Sequence, residues 1–432
     1  MNPLTKYELK KMIGTRRAVI ILLGAFLLNL LFFFLGVQSQ LHYSGNVRTL
    51  SGLDAIRYEQ QIMGRLKGNL TDEYIAKIES RIKEIESNPE NLEIDQDATK
   101  DKQKGMKKDG YTETEIAKMP SVMKLKDSVY VSQVDQYDFI ESTIGIQELL
   151  PKTISALQAG NINYIYDKAP GLHNPNAPRP AGTPVEINKL LSMYQQVHIP
   201  YYNDYYNGWL NFCVDFSKFS AMILGAVIII LLSPAFSQEY GSNMDSLILA
   251  SKYGKNKVIT AKMRSAFFVT SGLYLFSAIL NSVLYAAIYG LSGSNCNIQV
   301  YGMYMVSPYA ITFLELYIIT LCLGFIGMLF LSTITLFVSS KCKKSFISLV
   351  LSAAFLYIPA IDLSGVSLFA DKIAKLFPIN MINSSSLFGI GVLYNIFGKM
   401  VTQPIIMVSV AVAFSLIFLY AAYKTFQKHQ VA

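Results

Sequence analysis

The side chains that could do chemistry in this chain are concentrated in one short polar segment, residues 236–264, between two long apolar runs. Glu239 and Asp245 supply carboxylates, and Gly241 lies between them. Lysines and one arginine follow in the second half of the segment. We interpret this segment as a place where the chain contacts another protein, although its basic residues alone are those expected of any inner loop.

The same segment predicts a short helix. Ser242 followed by Asp245 is an N-cap pattern for a helix over 244–252, and Gly254 fits its C-terminal end. Leu247 and Ile248 would give this helix an apolar patch. On the residues alone, two interpretations stand: a basic loop resting on the membrane surface, or a helix that sits in a groove on a partner protein.

The motifs of catalysis and cofactor binding are missing from the sequence. It contains no G-x-x-x-x-G-K-[ST] nucleotide loop, no HExxH and no GxSxG. The histidines are isolated, and the cysteines show no CxxC or Cys/His ligand spacing. We therefore expect no enzyme activity, no catalytic residue, no metal site and no cofactor bound by this chain itself.

Composition indicates a membrane protein. The chain has 432 residues, of which 52% are hydrophobic and 16% are charged, whereas soluble domains carry about 25% charged residues. The apolar residues form runs of about 20, long enough to cross the ~30 Å hydrocarbon core of a bilayer. The net charge of +8 fits several basic inner loops and does not indicate nucleic acid.

Six spans with both termini in the cytoplasm are the predicted arrangement. Five basic residues precede the first apolar run within residues 1–17, which indicates a cytoplasmic amphipathic helix. Thr5 and Glu8 form a capping-box pattern in this helix. The predicted spans are 18–37, 216–235, 265–289, 309–338, 346–361 and 404–423. Residues 362–402 are broken by proline and glycine and could either dip into the membrane or lie on its surface.

Residues 38–212 predict a mainly helical extracytoplasmic domain, followed by a transmembrane domain over 213–432. Capping patterns predict helices that begin at Thr71, at Thr112 with Glu115, and at Thr183. The charged stretch 93–110 predicts a solvated loop, and residues 128–134 a short strand. The fold class is thus an all-α polytopic membrane protein with a mainly helical outer domain.

Three polar residues near the apolar runs are candidates for a transport pathway: Asn29, Asn281 and Glu315. Polar groups are costly in a membrane and often mark function. The alternative for the asparagines is a hydrogen bond between helices, which we prefer. For Glu315 the alternative is a position at the outer end of its span, where the carboxylate reaches water.

The polar segment also resembles a known family. Glu239, Tyr240 and Gly241, followed by Leu247–Leu249, Ser251 and Lys262, look like the "E…G…LL…S…K" pattern after the second span of ABC type-2 transporter permeases. The six-span plan, the N-terminal amphipathic helix and the broken segment before the last span are similar to that family too. In particular, the chain resembles the subgroup with a large outer domain between spans one and two.

The resemblance implies a permease subunit that pairs with a second permease copy or homologue and with two ATP-binding-cassette ATPase subunits. ATP and Mg would be bound by those partners and would drive export across a bacterial cytoplasmic membrane. Residues 242–253 would be the coupling helix. Two alternatives are an ATP-driven mechanical complex that acts on an outer lipid or peptide target, and a membrane receptor or scaffold without an ATPase.

Overall fold

The structure is a computed structural model, and it describes residues 2–44, 47–169, 182–251, 253–361 and 363–428. Most of its regular elements are helices. The helices are α1 Pro3–Ile13, α2 Arg16–Gln38, α3 Leu53–Arg65, α4 Asp72–Ser87, α5 Gln96–Lys108, α6 Glu113–Ala117, α7 Asp127–Val129, α8 Asp138–Gln147, α9 Leu149–Gln158, α10 Asn163–Lys168, α11 Pro184–Tyr194, α12 Asn207–Asn211, α13 Ala221–Leu232, α14 Pro234–Gly241, α15 Met244–Ala250, α16 Ile259–Tyr289, α17 Phe313–Lys341, α18 Ser345–Tyr357, α19 Leu368–Ala374, α20 Ser384–Phe388 and α21 Gln403–Gln427.

The strands are short and form four antiparallel pairs within the described residues. Their bounds are β1 Leu41–Ser44, β2 Val47–Ser51, β3 Gly68–Asn69, β4 Leu92–Ile94, β5 Met123–Leu125, β6 Tyr202–Asn203, β7 Leu393–Ile396 and β8 Lys399–Thr402. The pairs are β1 with β2, β3 with β6, β4 with β5, and β7 with β8. None of them grows into a larger sheet, so helix packing provides the core.

Within the residues that the structure describes, five helices are long and apolar enough to cross a membrane, which makes this a multi-pass membrane protein. They are Arg16–Gln38, Ala221–Gly241, Gly254–Tyr289, Phe313–Lys341 and Gln403–Gln427. The predicted fifth span, 346–361, forms the shorter helix Ser345–Ala360. Its 16 residues rise only about 24 Å, less than the hydrocarbon thickness.

Burial separates the central helices from the peripheral ones. The most apolar windows of Ala221–Gly241 and Phe313–Lys341 are each 67% buried, against 11% for Arg16–Gln38 and 17% for Gln403–Gln427. Helix α17 packs against α13, α14, α16, α18 and α21 and is therefore the centre of the bundle. The exposed apolar faces of α2 and α21 are surfaces of the kind that lipid or another subunit covers.

The chain divides into two compact units. Unit 1 comprises Met1–Gln38, Ile146–Ile199 and Tyr205–Ala432, and unit 2 comprises Ser39–Gly145 and Pro200–Asp204. Unit 2 therefore contains fewer residues than the segment 38–212, which the sequence predicts as the outer domain. The difference arises because helices α9 to α11 pack with the bundle-containing unit.

Capping signals correctly predicted the starts of α4 and α6. Thr71 accepts a hydrogen bond from the Tyr74 amide at the start of α4, and Thr112 and Glu115 form the predicted capping box of α6. The expected loop at 93–110 was wrong, because Gln96–Lys108 is a helix. Lysine and glutamine are good helix formers, and their charge and polarity indicated exposure rather than a lack of structure. The expected strand at 128–134 is helical as well.

Candidate functional site

The predicted docking helix exists as α15, Met244–Ala250, one of the shorter helices of unit 1. Leu247 is 68% exposed, Ile248 is half-buried and Asp245 is buried. Leu247 therefore projects an uncovered apolar side chain, while Asp245 faces the protein. The helix therefore exposes two large apolar side chains, Met244 at 49% and Leu247 at 68%, and Ile248 in part.

The start of α15 differs from the prediction. Asn243 is the N-cap residue, in a left-handed conformation with φ 54° and without a side-chain capping bond. Ser242 does not cap α15, because its hydroxyl donates to the carbonyls of Gln238 and Glu239 in the preceding helix. An asparagine tolerates this left-handed conformation better than most residues. The connection between α14 and α15 therefore passes through a left-handed residue at position 243.

The end of α15 is also earlier than predicted. The helix stops at Ala250 with Ser251 as its C-cap, and Lys252, the predicted last residue, lies outside the described residues. Gly254 is not the helix stop. A Cβ at this position would collide with the carbonyl oxygen of Ile248, so glycine permits the close return of the chain.

Gly241 ends α14 and is exposed. A Cβ at this position would lie 3.4 Å from the Lys343 carbonyl oxygen, which is ordinary contact. Space therefore does not require glycine here, and the structure gives no steric reason for its place in the E…G pattern.

Glu239 belongs to a buried cluster of charges that joins three helices. Lys262 of α16 is fully buried, and its ammonium lies 2.5 Å from Glu239 Oε1 and 3.1 Å from Glu8 Oε2. Lys11 of α1 lies 3.2 Å from the same Glu239 oxygen. We call these four residues the Lys262 cluster. It pairs two cations with two carboxylates and is therefore formally neutral.

Helix periodicity places these side chains together. Glu8 and Lys11 are three residues apart on α1 and so lie on the same side of it. Lys262 and Ser265 are likewise three apart on α16, and the Ser265 hydroxyl donates to the Thr5 carbonyl at 2.9 Å. The two helices are thereby held together by an ion pair and a neighbouring hydrogen bond.

The Thr5–Glu8 capping box is a wrong prediction. The N-cap of α1 is Asn2, whose side chain accepts from the Leu4 amide. Thr5 and Glu8 are buried instead, and the Glu8 carboxylate is used by Lys262. The sequence did contain a signal of this pairing, because Glu8 is an acidic residue in an otherwise basic helix.

Burial imposes a desolvation cost on the charges of the Lys262 cluster. Removing a charge from water is costly unless a partner and hydrogen bonds compensate it. Glu239 Oε1 has two ammonium partners, whereas Oε2 is buried without a hydrogen bond among the described residues. A shift of α14 relative to α16 or α1 would therefore uncover a charge, so these helices are expected to move together.

The pathway candidates occupy two different environments. Asn29 of α2 donates to Asn281 Oδ1 of α16 at 3.2 Å, and the Ser220 hydroxyl donates to the same oxygen at 3.3 Å. All three are buried, so the asparagines link helices, as the alternative interpretation expected.

Glu315 is an exposed residue in the first turn of α17. It forms a capping box with Thr312, whose amide donates to Glu315 Oε2 at 2.8 Å. The Glu315 carboxylate therefore stabilises the start of α17 as part of its N-terminal cap.

Unit 2 contains a second buried polar cluster, which the sequence did not indicate. Asp135 Oδ2 lies 2.9 Å from His42 Nε2 and accepts a 2.7 Å hydrogen bond from the Tyr58 hydroxyl. Burial and the bond to Asp135 raise the pKa of Tyr58 above its usual range, so the phenol remains a donor. We call these three residues the Asp135 cluster.

Neither cluster resembles a metal centre. Among the ranges that the structure describes, no group of three or more His, Cys, Asp or Glu side chains is arranged to hold a metal ion. Comparison of the chain with protein-family models, with curated proteins and with solved structures found no match.

Proposed function

We propose that this chain is the permease subunit of an ATP-binding-cassette exporter in a bacterial cytoplasmic membrane. The observation that carries the proposal is α15, a short helix between two apolar helices whose Leu247 side chain is 68% exposed. The sequence has no nucleotide-binding motif, so energy would come from separate ATPase subunits that bind ATP and Mg. A second permease copy or homologue would complete the pathway.

The proposed topology has six spans and both termini in the cytoplasm, with the segment that contains unit 2 outside. On this topology α15 lies on the cytoplasmic side, where ATPase subunits are. Ser345–Ala360 would then cross the bilayer together with flanking residues or with local thinning.

The connections of α15 support a coupling role. It follows α14 directly, and α16 begins shortly after it. Glu239 on α14 and Lys262 on α16 are paired at 2.5 Å, and Glu8 ties α1 to the same lysine. A push on Leu247 would therefore reach α13, α14, α16 and α1 as a group. This is how ATPase closure would be passed to the membrane helices.

Substitution of the exposed residue tests the proposal. Leu247→Asp removes the apolar contact but costs the fold little, because the side chain is exposed. We expect the complex purified from native membranes to lose its ATPase subunits, or to lose stimulation of Mg-ATP hydrolysis by at least about tenfold, equivalent to about 1.4 kcal/mol. Ile248→Asp should act in the same direction with some loss of stability, because Ile248 is half-buried.

Two control variants make the test specific. Leu247→Met keeps an apolar side chain and should retain coupling. Ile94→Asp places the same charge on a 54% exposed apolar residue of unit 2 and should leave ATPase association unchanged. Unaltered ATPase association and hydrolysis in Leu247→Asp, or a parent chain that purifies without any nucleotide-binding subunit, would contradict the proposal.

The existence of unit 2 favours one alternative function enough to test it. A separately compact unit of Ser39–Gly145 with Pro200–Asp204 suits a complex that uses ATP hydrolysis to act mechanically on an outer lipid or peptide. Sealed proteoliposomes separate the two functions. An exporter accumulates substrate across the membrane in an ATP-dependent way, whereas a mechanical complex hydrolyses ATP without flux.

A further inference from the structure

A groove opens beside the junction of α1 and α2. It has a volume of about 620 Å³ and is bordered by α1, α2, α13, α14 and α18. All of its lining residues belong to unit 1. Its lining combines basic and apolar side chains, and this combination identifies what could occupy it.

One part of the groove's lining is basic. Lys11, Arg16 and Arg17 line it together with Glu8. Glu8 is paired with Lys262, and Lys11 is shared with Glu239. Arg16 and Arg17 are exposed and make no ion pair within the described part of the chain. The groove therefore has two uncompensated positive charges in its lining.

The position of these arginines in α2 adds to the attraction for an anion. They are the first two residues of a 23-residue helix whose first turn contains no acidic residue. Positive charge at a helix N-terminus opposes the helix dipole, and an anion bound there relieves both effects. The unpaired arginines and the helix dipole thus favour the same kind of ligand.

Another part of the lining is apolar. Its wall includes Ile21, Ile230, Leu231, Phe346 and Leu349, and Phe346 is 74% exposed. Ile21 and Leu231 belong to helices that are long and apolar enough to cross a membrane. The apolar wall therefore continues along membrane-spanning helices, away from the arginines.

We propose that this groove binds a phospholipid with an anionic headgroup. The phosphate contacts Arg16 and Arg17, and an acyl chain lies along the apolar wall at Leu231, Phe346 and Leu349. A soluble anion would leave this wall uncovered. A basic pocket between membrane helices is a recognised type of site for anionic lipid headgroups.

The site stands independently of the proposed exporter function, because it requires only a membrane. It also has a structural link to the Lys262 cluster. Lys11 borders the groove and lies 3.2 Å from Glu239, so a bound phosphate competes with Glu239 for the Lys11 ammonium. Occupancy of the groove is thereby connected to the charges that hold α1 and α14 together.

A fluorescent reporter tests the proposal on the full-length chain. Phe346→Trp in a Trp209→Phe background gives a single tryptophan at the groove, since the sequence has one tryptophan. The protein is reconstituted into vesicles of phosphatidylcholine and phosphatidylglycerol, and brominated acyl chains are placed on one lipid or the other. Quenching of the tryptophan then gives the relative affinity of the two lipids at this position.

We expect a preference for phosphatidylglycerol of about fivefold or more, the effect of one basic side chain near an anionic lipid. Raising the salt concentration should reduce this preference, because salt screens the attraction between the exposed arginines and the lipid phosphate. The double substitution Arg16→Gln with Arg17→Gln should lower the ratio of the two lipid affinities to about one. The double substitution Arg16→Lys with Arg17→Lys keeps both charges and should retain most of the preference.

Lys343→Gln with Lys344→Gln is the matched control. It removes the same charge from exposed lysines that are closer in sequence to the reporter but do not line the groove. This pair should change the preference little. Equal quenching by both lipids in the parent reporter, or equal loss in the control pair, overturns the proposal. Protection from both lipids also overturns it, and would show that a protein covers the groove.

Discussion

The Lys262 cluster of unit 1 and the Asp135 cluster of unit 2 bury carboxylates by different means. In the first, Glu8 and Glu239 are compensated by the full charges of two lysines. In the second, one carboxylate is held by an imidazole and a phenol. The first cluster links three separate helices, so its loss affects their arrangement, whereas the second stabilises one compact unit locally.

The largest effect is expected from Lys262→Met. It leaves Glu8 without its partner and Glu239 with only the half-exposed Lys11, and removal of one member of a buried pair costs about 3–5 kcal/mol. We expect a correspondingly lower midpoint of thermal unfolding in detergent. Lys343→Met, which removes an exposed charge, should change the midpoint little.

A double-mutant cycle then tests whether the cluster acts as a unit. Glu8→Gln combined with Lys262→Met should cost less than the sum of the single substitutions, because the double variant no longer isolates a charge at Glu8. Additive costs would show that Glu8 and Lys262 are energetically independent despite the 3.1 Å distance between their charged atoms.

Asp135→Ala should have the next largest effect, about 2–3 kcal/mol, since it leaves a buried imidazole and a phenol without their acceptor. Asp135→Asn should cost less, because its carbonyl oxygen can still accept. Hydrogen exchange of amides within Ser39–Gly145 measures the loss. Asp101→Ala, at an exposed pair with Lys104, is the control, and an equal loss there would remove the distinction between buried and exposed carboxylates.

The two clusters also show where sequence reasoning reached its limit. The capping residues Thr71 and Thr112 were predictable because a cap and its target amide are three residues apart. Glu8 and Lys262 are 254 residues apart, and His42 and Asp135 are 93 apart. Such pairings depend on how helices pack, which periodicity does not specify. Glu239 and Lys262 were singled out by resemblance, but their contact with α1 was not foreseen.

The helices themselves followed the apolar pattern more closely than the loops did. The spans at 18–37 and 404–423 match α2 and α21 within a few residues, because both are uninterrupted apolar runs. The segment 93–110 became a helix, since high charge reports exposure and not backbone conformation. Leu247 was correctly placed on a short helix, whereas its exposure depends on tertiary contacts.

Asn281→Ala measures how much the neutral hydrogen bonds of Asn281 contribute to stability, for comparison with the ion pairs of the Lys262 cluster in the same unit. Hydrogen bonds between membrane helices are worth about 0.6 kcal/mol on average and up to about 1.7. Asn281 accepts from both Asn29 and Ser220, so its loss should cost more than Asn29→Ala, and both should cost less than Lys262→Met. Unfolding in mixed detergent micelles gives this order. A cost above that of Lys262→Met would mean that charge is not what distinguishes the Lys262 cluster.

The smallest predicted effect is a pH dependence in the surroundings of the Asp135 cluster. Burial is the main cause that raises the pKa of Asp138, and the Tyr130 hydrogen bond opposes it in part. Burial also raises the pKa of Glu141, with the charge of Asp138 adding to it. The folded state therefore binds these protons more tightly than the unfolded state does.

The sign of the effect follows from this difference. The contribution of Asp138 and Glu141 to stability is greatest below the ordinary carboxyl pKa and falls as pH rises through the raised values. Because both side chains are partly exposed, we expect the unfolding midpoint of unit 2 to change by only about 1 °C. Asp138→Asn keeps an acceptor for Tyr130 and should flatten the dependence, whereas Asp101→Asn should not. If Asp138→Asn leaves the curve unchanged, the Asp138 carboxyl does not contribute to the pH dependence of unit 2, although it is partly buried beside the Asp135 cluster.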